Sequence, residues 1–380
     1  MAMHGRSRMS EESPGREEGG RFSVGCMRNG GNRMRRTLAV SLGTAVAFAA
    51  FMPAGQAATD ASRVHVVKPG RSIQKAVNKA RPGDVIQLKA GRYDGGVLVR
   101  KPLTIRGAGD RTVLRPGRKD HCAKARQAGM GICVVGREGR PVRNVTVEKL
   151  SVQRFKETGV FGIHTDRLSV VHVLAKRNGE YGIAEYNSTR GRFLQNRVHD
   201  SGAHAGLYVG DIADAHGTVV AHNRASGNAM GLLVRHARNV KVHDNTFTGN
   251  CAGVLLVDDG QRGGQGNNAL WENKISKNNR GCKAYGPVPA LKGTGIMLIG
   301  GDHNSIKKND VTRNRGKLPY SGGIVLFPGA PPQDRPARHN VVEGNRVLGN
   351  APFDLVDNSG SKTNKVRANR CKTSKPRGLC

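Results

Sequence analysis

Most of the chain repeats one short pattern of apolar and polar positions. An apolar segment is followed by an asparagine, a second short segment by another asparagine five residues on, and a glycine then opens a third apolar segment. The first asparagine recurs at Asn196, Asn223, Asn245, Asn273, Asn309, Asn345 and Asn369. A repeat of this kind predicts a solenoid, because each unit can bury its apolar face only against its neighbours.

Aligning the repeats places apolar side chains in three columns. The first holds Phe193, Val220, Val242, Leu270, Ile306, Val342 and Val366; the second holds Val198, Ala225, Phe247, Ile275, Val311 and Val347; the third holds Ile163, Ile183, Leu207, Leu232, Val254, Ile296 and Ile324. Side chains alternate across a strand, so each column can point inward. Three columns predict three strands in every coil of a parallel solenoid.

The asparagines are expected to be structural. The second column of them contains Asn228, Asn250, Asn278, Asn314 and Asn350, with Ser201 in one place. Asparagine tolerates the left-handed backbone of a tight bend better than most residues. Amides about 4.8 Å apart can also hydrogen-bond along the stack. We therefore assign no catalytic role to these residues.

Residues 64–92 are predicted to cap the solenoid. Ser72 is a good helix N-cap, and Ile73, Ala76, Val77 and Ala80 have the spacing of one apolar helical face. Strand structure is predicted to begin at Val85, with further strands at 97–99, 103–105 and 112–114. A helix over the first coil would protect its open edge. Coils are expected over 97–370 and a C-terminal end over 371–380, in one domain spanning 64–380.

The first 57 residues are typical of an upstream stretch followed by a secretory signal. Arg28 to Arg36 supply a basic start, 38–52 an apolar run, and 55–57 a small-residue exit. The apolar run is shorter than the roughly 18–20 residues of a membrane-spanning helix. We expect a secreted, extracellular monomer without a membrane span.

Cysteine usage fits an exported protein. Cys26 lies in the part that would be removed, and the six remaining cysteines suggest the disulfides Cys122–Cys133, Cys251–Cys282 and Cys371–Cys380. The alternative is free buried thiols. No cysteine pair has the spacing of a structural zinc site.

The chain has a formal net charge of +34, and 54 basic against 24 acidic residues remain after position 57. Such a charge attracts polyanions. The basic residues are scattered, aromatic residues make up 4% of the chain, and no nucleic-acid-binding motif is visible. An acidic polysaccharide or a cell-wall polyanion is the expected partner, although the charge can also serve solubility alone.

From the cap helix and Gly83-Asp84 onwards, the pattern resembles the right-handed parallel β-helix superfamily of pectate lyases and their relatives. The resemblance covers roughly residues 64–380. It implies an all-β, right-handed, three-sheet parallel β-helix with a short N-terminal capping helix. Members include polysaccharide lyases, glycoside hydrolases, mannuronan epimerases, tailspikes and repeat proteins without an assigned reaction. In the enzymes of this superfamily, substrate lies along the sheet formed by the glycine-type strands.

On that sheet, two columns are expected to face outward. The first reads His164, Ala184, Tyr208, Leu233, Leu255, Met297 and Val325, and the second reads Asp166, Tyr186, Gly210, Arg235, Val257, Ile299 and Phe327. The N-terminal half is polar and aromatic, and the C-terminal half is apolar. A bare apolar stripe is unusual. Insertion 279–294 or 328–339 is therefore expected to cover it; a docked partner or stacked sugar rings are the alternatives.

The polar half is the candidate site. β-Elimination of a uronate needs a cation at the carboxylate, a base and an acid, and the candidate catalytic residues are Arg235, His236, Tyr208 and His164. Candidate substrate-binding residues are Tyr186, Asp166 and Arg262. Asp211, Asp258 and Asp259 are candidate Ca²⁺ ligands or a hydrolase's carboxylates; alternatively they only cap turns.

Three further features bear on the functional assignment. Alternation turns Glu185 inward, where an unpaired carboxylate is costly. The spacing of His199, His204, His216, His222 and His243 fits no metal-binding motif, so no zinc or copper site is expected. The signatures of galacturonan hydrolases and mannuronan epimerases are absent. The leading hypothesis is a polysaccharide lyase acting on a uronate polymer. The alternatives are a non-catalytic glycan or cell-wall binder, a glycoside hydrolase, and an accessory or maturation protein.

Overall fold

A computed structural model describes residues 62–202, 204–285, 288–329 and 335–380. The upstream stretch and signal peptide predicted for residues 1–57 lie outside the described residues. No helix in the described ranges is both long and apolar enough to cross a membrane.

Three parallel sheets of twelve, ten and eleven strands make up nearly all of the described chain. Sheet A contains β1 (Val64–Val67), β2 (Val85–Leu88), β5 (Thr104–Arg106), β9 (Thr146–Glu148), β13 (Ser169–Val171), β16 (Arg192–Leu194), β19 (Val219–Ala221), β22 (Lys241–His243), β25 (Ala269–Trp271), β28 (Ser305–Lys307), β31 (Val341–Glu343) and β34 (Lys365–Arg367). Sheet B contains β3 (Gly91–Asp94), β6 (Thr112–Arg115), β10 (Ser151–Gln153), β14 (Leu174–Lys176), β17 (Arg197–His199), β20 (Arg224–Ser226), β23 (Thr246–Thr248), β26 (Lys274–Ser276), β29 (Asp310–Thr312) and β32 (Arg346–Leu348). Sheet C contains β4 (Val97–Val99), β7 (Ile132–Val135), β11 (Val160–Ile163), β15 (Ile183–Tyr186), β18 (Ala205–Ile212), β21 (Met230–Ala237), β24 (Ala252–Val257), β27 (Thr294–Ile299), β30 (Gly322–Phe327), β33 (Leu355–Asp357) and β35 (Ser374–Lys375). Strands β8 (Val142–Arg143) and β12 (Thr165–Asp166) pair separately beside the stack.

Each coil visits the three sheets in turn, which confirms the predicted three-sheet parallel β-helix. The first and second apolar columns are fully buried along the axis, except that Val366, in the last strand of sheet A, is half-buried. In the third column the prediction is wrong at one position. The register pairs Ile183 with Val160, not with Ile163, because the strand begins three residues earlier than the sequence pattern suggested.

Buried asparagine side chains join the coils, as predicted. Each amide nitrogen in the first column donates to the next asparagine's Oδ1 at 2.9–3.0 Å, from Asn196 through to Asn369. The second column has the same bonds, at 2.9–3.2 Å, from Asn228 to Asn350. A third ladder that the sequence analysis missed runs through Asn268, Asn304, Asn340 and Asn364.

One of the two predicted reasons for the asparagines, the left-handed backbone, is wrong, however. The asparagines of the first two ladders do not adopt the left-handed backbone; the residue before each of them does, as at His222 (φ 58°), Asp244 (φ 54°) and Glu272 (φ 56°). Their side chains therefore have a different task from relieving backbone strain. They satisfy buried backbone groups at the corners, where strand pairing lapses.

The predicted cap is present. Helix α1 (Ile73–Lys79) starts at the N-cap Ser72, whose hydroxyl accepts a hydrogen bond from the Lys75 N–H. The side chain of Gln74 bonds both the N–H and the C=O of Leu98, on the edge strand β4. One feature was not predicted: strand structure begins before the helix, with β1 paired to β2.

All three predicted disulfides form: Cys122–Cys133, Cys251–Cys282 and Cys371–Cys380. The first two lie against the outward surface of sheet C, where a second apolar cluster is buried outside the coil interior. A 3-10 helix at Cys122–Ala125 belongs to the first of these loops. Leu291 of insertion 279–294 packs in that cluster with Leu233, Leu255, Met297 and Val325, all at most 5% exposed. The expected covering of the apolar half by this insertion is confirmed.

Candidate functional site

An arginine between two carboxylates marks the polar and aromatic half of sheet C. Arg235, in β21, lies 3.4 Å from Asp211 Oδ1 and 2.6 Å from Asp259 Oδ2. Asp211 lies near the end of β18 and Asp259 follows β24, the strands on either side of β21, so parallel stacking brings both carboxylates to one rim. Burial raises the pKa of Asp259, but bonds from Gln261 and the charge of Arg235 outweigh burial and hold that pKa below its ordinary value.

A glycine shapes the surface beside this arginine. Gly210 pairs with Tyr186 on one side and Arg235 on the other, within one outward column. A Cβ at Gly210 would lie 2.2 Å from the hydroxyl of Tyr208. The missing side chain therefore leaves a notch that the Tyr208 hydroxyl enters, where it donates to Asp211 at 3.0 Å.

Three tyrosines line this notch. The ring centroid of Tyr208 lies 4.5 Å from that of Tyr186 and 4.8 Å from that of Tyr181. Tyr208 and Tyr181 are nearly fully buried, and Tyr186 is half-buried. Burial raises the pKa of all three phenols, so each keeps its proton at neutral pH.

His204 completes the aromatic group, although the sequence analysis did not predict it as a site residue. Its ring stacks on Tyr181 at 5.3 Å and meets Tyr285 edge-on at 5.0 Å. Burial, and then the charge of Arg235, lower the pKa of His204, so that the imidazole is neutral at pH 7. Its Nδ1 is buried and has no hydrogen-bond partner among the residues that the structure describes. A neutral, unpartnered imidazole is suited to accepting a proton.

A cationic cleft adjoins the notch. Residues 258–264 link the two: Asp259 binds Arg235, while Asp258 and Arg262 line a cleft of about 550 Å³. Arg238, Arg335 and Arg338 also line it, with Asp302 paired to Arg238 at 2.8 Å. Four arginines against two carboxylates make this cleft a binding surface for anions. Arg262, a predicted substrate-binding residue, is exposed here.

The structure thus gathers Arg235, Tyr208 and Tyr186 as predicted, and places His236 beside them. The His236 side chain is 7% exposed, with its Nδ1 3.5 Å from Asp259 Oδ1. His236 and Asp259 are close enough to interact through charge, but they do not form a hydrogen bond. His236 is therefore better placed to support Asp259 than to meet a substrate.

Two predicted site residues lie elsewhere. The three-residue register error on β11 wrongly placed His164 and Asp166 in the outward columns, where Phe161 and Ile163 stand. His164 has a left-handed backbone just beyond that strand, and Asp166 belongs to the side pair of β8 and β12.

Asp166 has a structural environment. Its carboxylate is 2% exposed and accepts two 2.6 Å bonds from Arg190 and one of 3.3 Å from Arg143. The hydrogen bonds from Arg190 lower the pKa of Asp166 below its ordinary value. Two guanidinium groups already satisfy this carboxylate, which leaves little of it for a substrate.

The structure also does not assemble the predicted calcium ligands. The guanidinium of Arg235 stands between Asp211 and Asp259. The carboxylate of Asp258 turns back to accept the Gly260 N–H at 2.9 Å, which is the turn-capping role given as the alternative. These three carboxylates therefore do not converge on one cation.

Comparison with known proteins adds a family. Residues 138–329 match the family model described as NosD, periplasmic copper-binding protein. The match spans half of the chain. The chain belongs to the NosD family. No curated protein sequence gives a significant match.

Solved structures similar to this NosD-family chain have the same fold. The A-module of the Azotobacter vinelandii mannuronan C-5 epimerase AlgE4 is 15% identical with a TM-score of 0.55, covering 80% of this chain and 89% of that one. A double mutant of the periplasmic alginate epimerase AlgG is 16% identical, with a TM-score of 0.54 and coverage of 77% and 69%. DFA-IIIase from Arthrobacter chlorophenolicus A6, without its lid, is 15% identical, with a TM-score of 0.51 and coverage of 81% and 99%. At these identities the likeness shows the parallel β-helix fold alone. The three disulfides and the family together indicate an extracytoplasmic protein.

The family's description raises the question of whether this chain has ligands for copper. His222, His243 and Asp244 each present one ligand atom, and these atoms lie within 4.8 Å of one another. Two imidazoles and a carboxylate suit Cu²⁺. All six cysteines in the described residues form disulfides, so no thiolate for Cu⁺ is found there. The spacing of these histidines in the sequence fits no metal-binding motif, but coil stacking brings His222 and His243 together although they are distant in sequence.

Proposed function

We propose that the protein is a secreted enzyme that acts on an acidic, uronate-containing polysaccharide at the Tyr186–Arg235 notch, by β-elimination. One observation carries the proposal. Loop 258–264 joins an aromatic notch that holds a fixed arginine to a cleft lined by four further arginines. Aromatic faces suit sugar rings, and arginines suit their carboxylates.

The chemistry follows from the protonation states in the notch. Arg235 would neutralise the uronate carboxylate, which makes the proton on the adjacent carbon removable. His204, which is neutral, would take that proton. The electron pair of the broken carbon–hydrogen bond would form the carbon–carbon double bond. The glycosidic oxygen would leave with a proton from a tyrosine.

Tyr186 is the proton donor in this scheme. Tyr208 is 1% exposed and its hydroxyl is engaged with Asp211, so it serves to hold that carboxylate. Tyr186 is half-buried, adjoins Gly210, and has a raised pKa that keeps its phenol protonated. Its position beside the notch allows contact with a bound sugar.

Similar solved structures support a sugar substrate by analogy of fold, since two are described as epimerases of mannuronan or alginate. In the test, purified protein is incubated with polygalacturonate, alginate, hyaluronan and chondroitin, with and without Ca²⁺. Ultraviolet absorbance follows unsaturated products, and a reducing-end assay follows chain cleavage.

We expect unsaturated products from one uronate polymer, and their loss in Arg235→Ala and His204→Asn. Arg224→Ala, on the exposed surface of sheet B, is the matched control and should retain activity. Unchanged activity in Arg235→Ala would contradict the assignment. Retention on the polymers without any product would favour a non-catalytic binder, and reducing ends without unsaturation would favour a hydrolase.

A further inference from the structure

We propose that His222, His243 and Asp244 form a binding site for a divalent transition-metal cation, with Cu²⁺ bound most tightly. The site lies at the corner between sheets A and B, away from the sheet C notch. It is independent of any action on polysaccharide.

Coil stacking creates this site. His222 and Asp244 each precede a ladder asparagine, and both have the left-handed backbone that directs a side chain outward at the corner. They occupy equivalent positions in successive coils, about 4.8 Å apart along the stack. His243 is the last residue of β22 and adjoins Asp244. In the preceding coil it pairs with Ala221, the residue before His222.

The side chains already face one another. The His222 and His243 rings lie 5.8 Å apart at 82°, and Asp244 Oδ2 lies 2.8 Å from His243 Nδ1. Zinc- or copper-sized cations bind imidazole nitrogen at about 2.0–2.1 Å, so ligand atoms around them are spaced roughly 3–4 Å apart. His222 and Asp244 are exposed. Small side-chain rotations can therefore bring their atoms from within 4.8 Å to that spacing.

The neighbours of His243 hold its ring in place. The indole of Trp271 stacks on the imidazole at 4.4 Å with an interplanar angle of 14°. Glu272 occupies the next position of the left-handed column and adds negative charge on a chain that is otherwise strongly basic.

The donor set selects the cation. Two imidazoles with a carboxylate suit Cu²⁺, Ni²⁺ and Zn²⁺ better than Ca²⁺ or Mg²⁺, which prefer oxygen ligands. Among the divalent ions of the first transition row, Cu²⁺ binds such ligands most tightly. We therefore expect affinity in the order Cu²⁺ above Zn²⁺, with no measurable binding of Mg²⁺.

Trp271 provides the readout, because it is the only tryptophan in the chain. The full-length protein, without a polyhistidine tag, is titrated with Cu²⁺ while tryptophan fluorescence is followed. We expect saturable quenching at one equivalent. The electron paramagnetic resonance spectrum of the bound Cu²⁺ should show coupling to two nitrogens.

The variants are His222→Asn, Asp244→Asn and, as the matched control, His199→Asn. His199 also contacts an adjacent aspartate, with its Nδ1 3.1 Å from Asp200 Oδ2, but belongs to no such cluster in the described chain. We expect His222→Asn to weaken Cu²⁺ binding by at least about tenfold and to remove one nitrogen coupling, with His199→Asn unchanged. Quenching that does not saturate, or that His222→Asn leaves intact, would overturn the proposal.

Discussion

The backbone N–H and the side-chain amide of Asn273 both donate to a single oxygen, Oδ1 of Asn309, at 3.1 and 2.9 Å. Asn245 makes the same two bonds to Asn273. One buried amide therefore ties together three successive coils. Since the same arrangement recurs along the stack, each asparagine side chain contributes to the stability of the coil on either side of it.

Replacing Asn273 with alanine is expected to destabilise the protein by about 3 kcal/mol, because buried backbone donors and acceptors lose their partners. Chemical denaturation followed by circular dichroism measures the change. Asn358→Ala is the control, since Asn358 is exposed and, within the described part of the chain, only its backbone N–H is bonded. Its effect should stay within about 0.5 kcal/mol. Equal effects of the two substitutions would contradict a structural role for the ladder.

A buried acid should make stability depend on pH. Glu185 is 1% exposed, accepts one bond from Thr218, leaves Oε2 without a partner, and has its pKa raised by burial to about 7. Because the folded-state pKa is above the unfolded one, this residue costs stability as pH rises from about 4.5 to 7. Glu185→Gln should match the wild type at pH 4 and exceed it by about 3 kcal/mol at pH 8.

Glu343→Gln supplies the control of opposite sign. Hydrogen bonds from Lys307, together with the nearby Arg367, hold the pKa of Glu343 below its ordinary value. This carboxylate therefore adds stability above pH 4.5 that disappears as pH falls. Urea unfolding at pH 4, 6 and 8 compares both variants with the wild type. Parallel pH curves for wild type and Glu185→Gln would show that Glu185 is ionised in the folded protein.

The Cys251–Cys282 disulfide tethers the insertion that covers sheet C. Removing it as a double alanine variant should cost about 3–4 kcal/mol, since it closes a longer loop than Cys371–Cys380, whose removal should cost about 2–3 kcal/mol. Loss of the tether should also expose Leu255 and Met297, so only the Cys251–Cys282 variant should bind a hydrophobic dye. Dye binding by both variants or by neither would contradict the covering role.

His204 should shape the pH dependence of catalysis. A general base must be unprotonated, and the pKa of His204 is lowered by burial and by Arg235. Activity should therefore persist below pH 6.5 and fall only at more acid pH. In any residual activity of His204→Asn that acid limb should vanish, whereas His172→Asn, an exposed histidine, should keep it. An acid limb unchanged in His204→Asn would assign the base elsewhere.

The fold was predictable because it rests on repetition. The period of the asparagines, the inward apolar columns, the capping role of Ser72 and the three disulfides follow from residue type and spacing. The error at Ile163 arose in the first irregular coil, where β8 and β12 interrupt the period and no asparagine marks the register.

The site was only partly predictable, because its members depend on contacts between coils and on an insertion. Arg235, Tyr208 and Tyr186 lie in regular strands, so their outward positions could be read from alternation. His204 lies in a corner, and Tyr285 belongs to an insertion whose path over sheet C no periodicity specifies. The cluster at His222 and His243 was not predicted for a related reason, because its members are neighbours only across coils.

The central claim is that Arg235 neutralises a uronate carboxylate, and Asp259 provides its sharpest test. Asp259 lies 2.6 Å from the guanidinium and competes with the substrate for it. The measurement is the rate of unsaturated-product formation against substrate concentration for wild type, Asp259→Asn and Arg235→Ala. We predict that Asp259→Asn lowers KM several-fold while activity remains, and that Arg235→Ala abolishes activity. Loss of activity in Asp259→Asn with Arg235→Ala still active would contradict the account, because the carboxylate and not the arginine would then perform the chemistry.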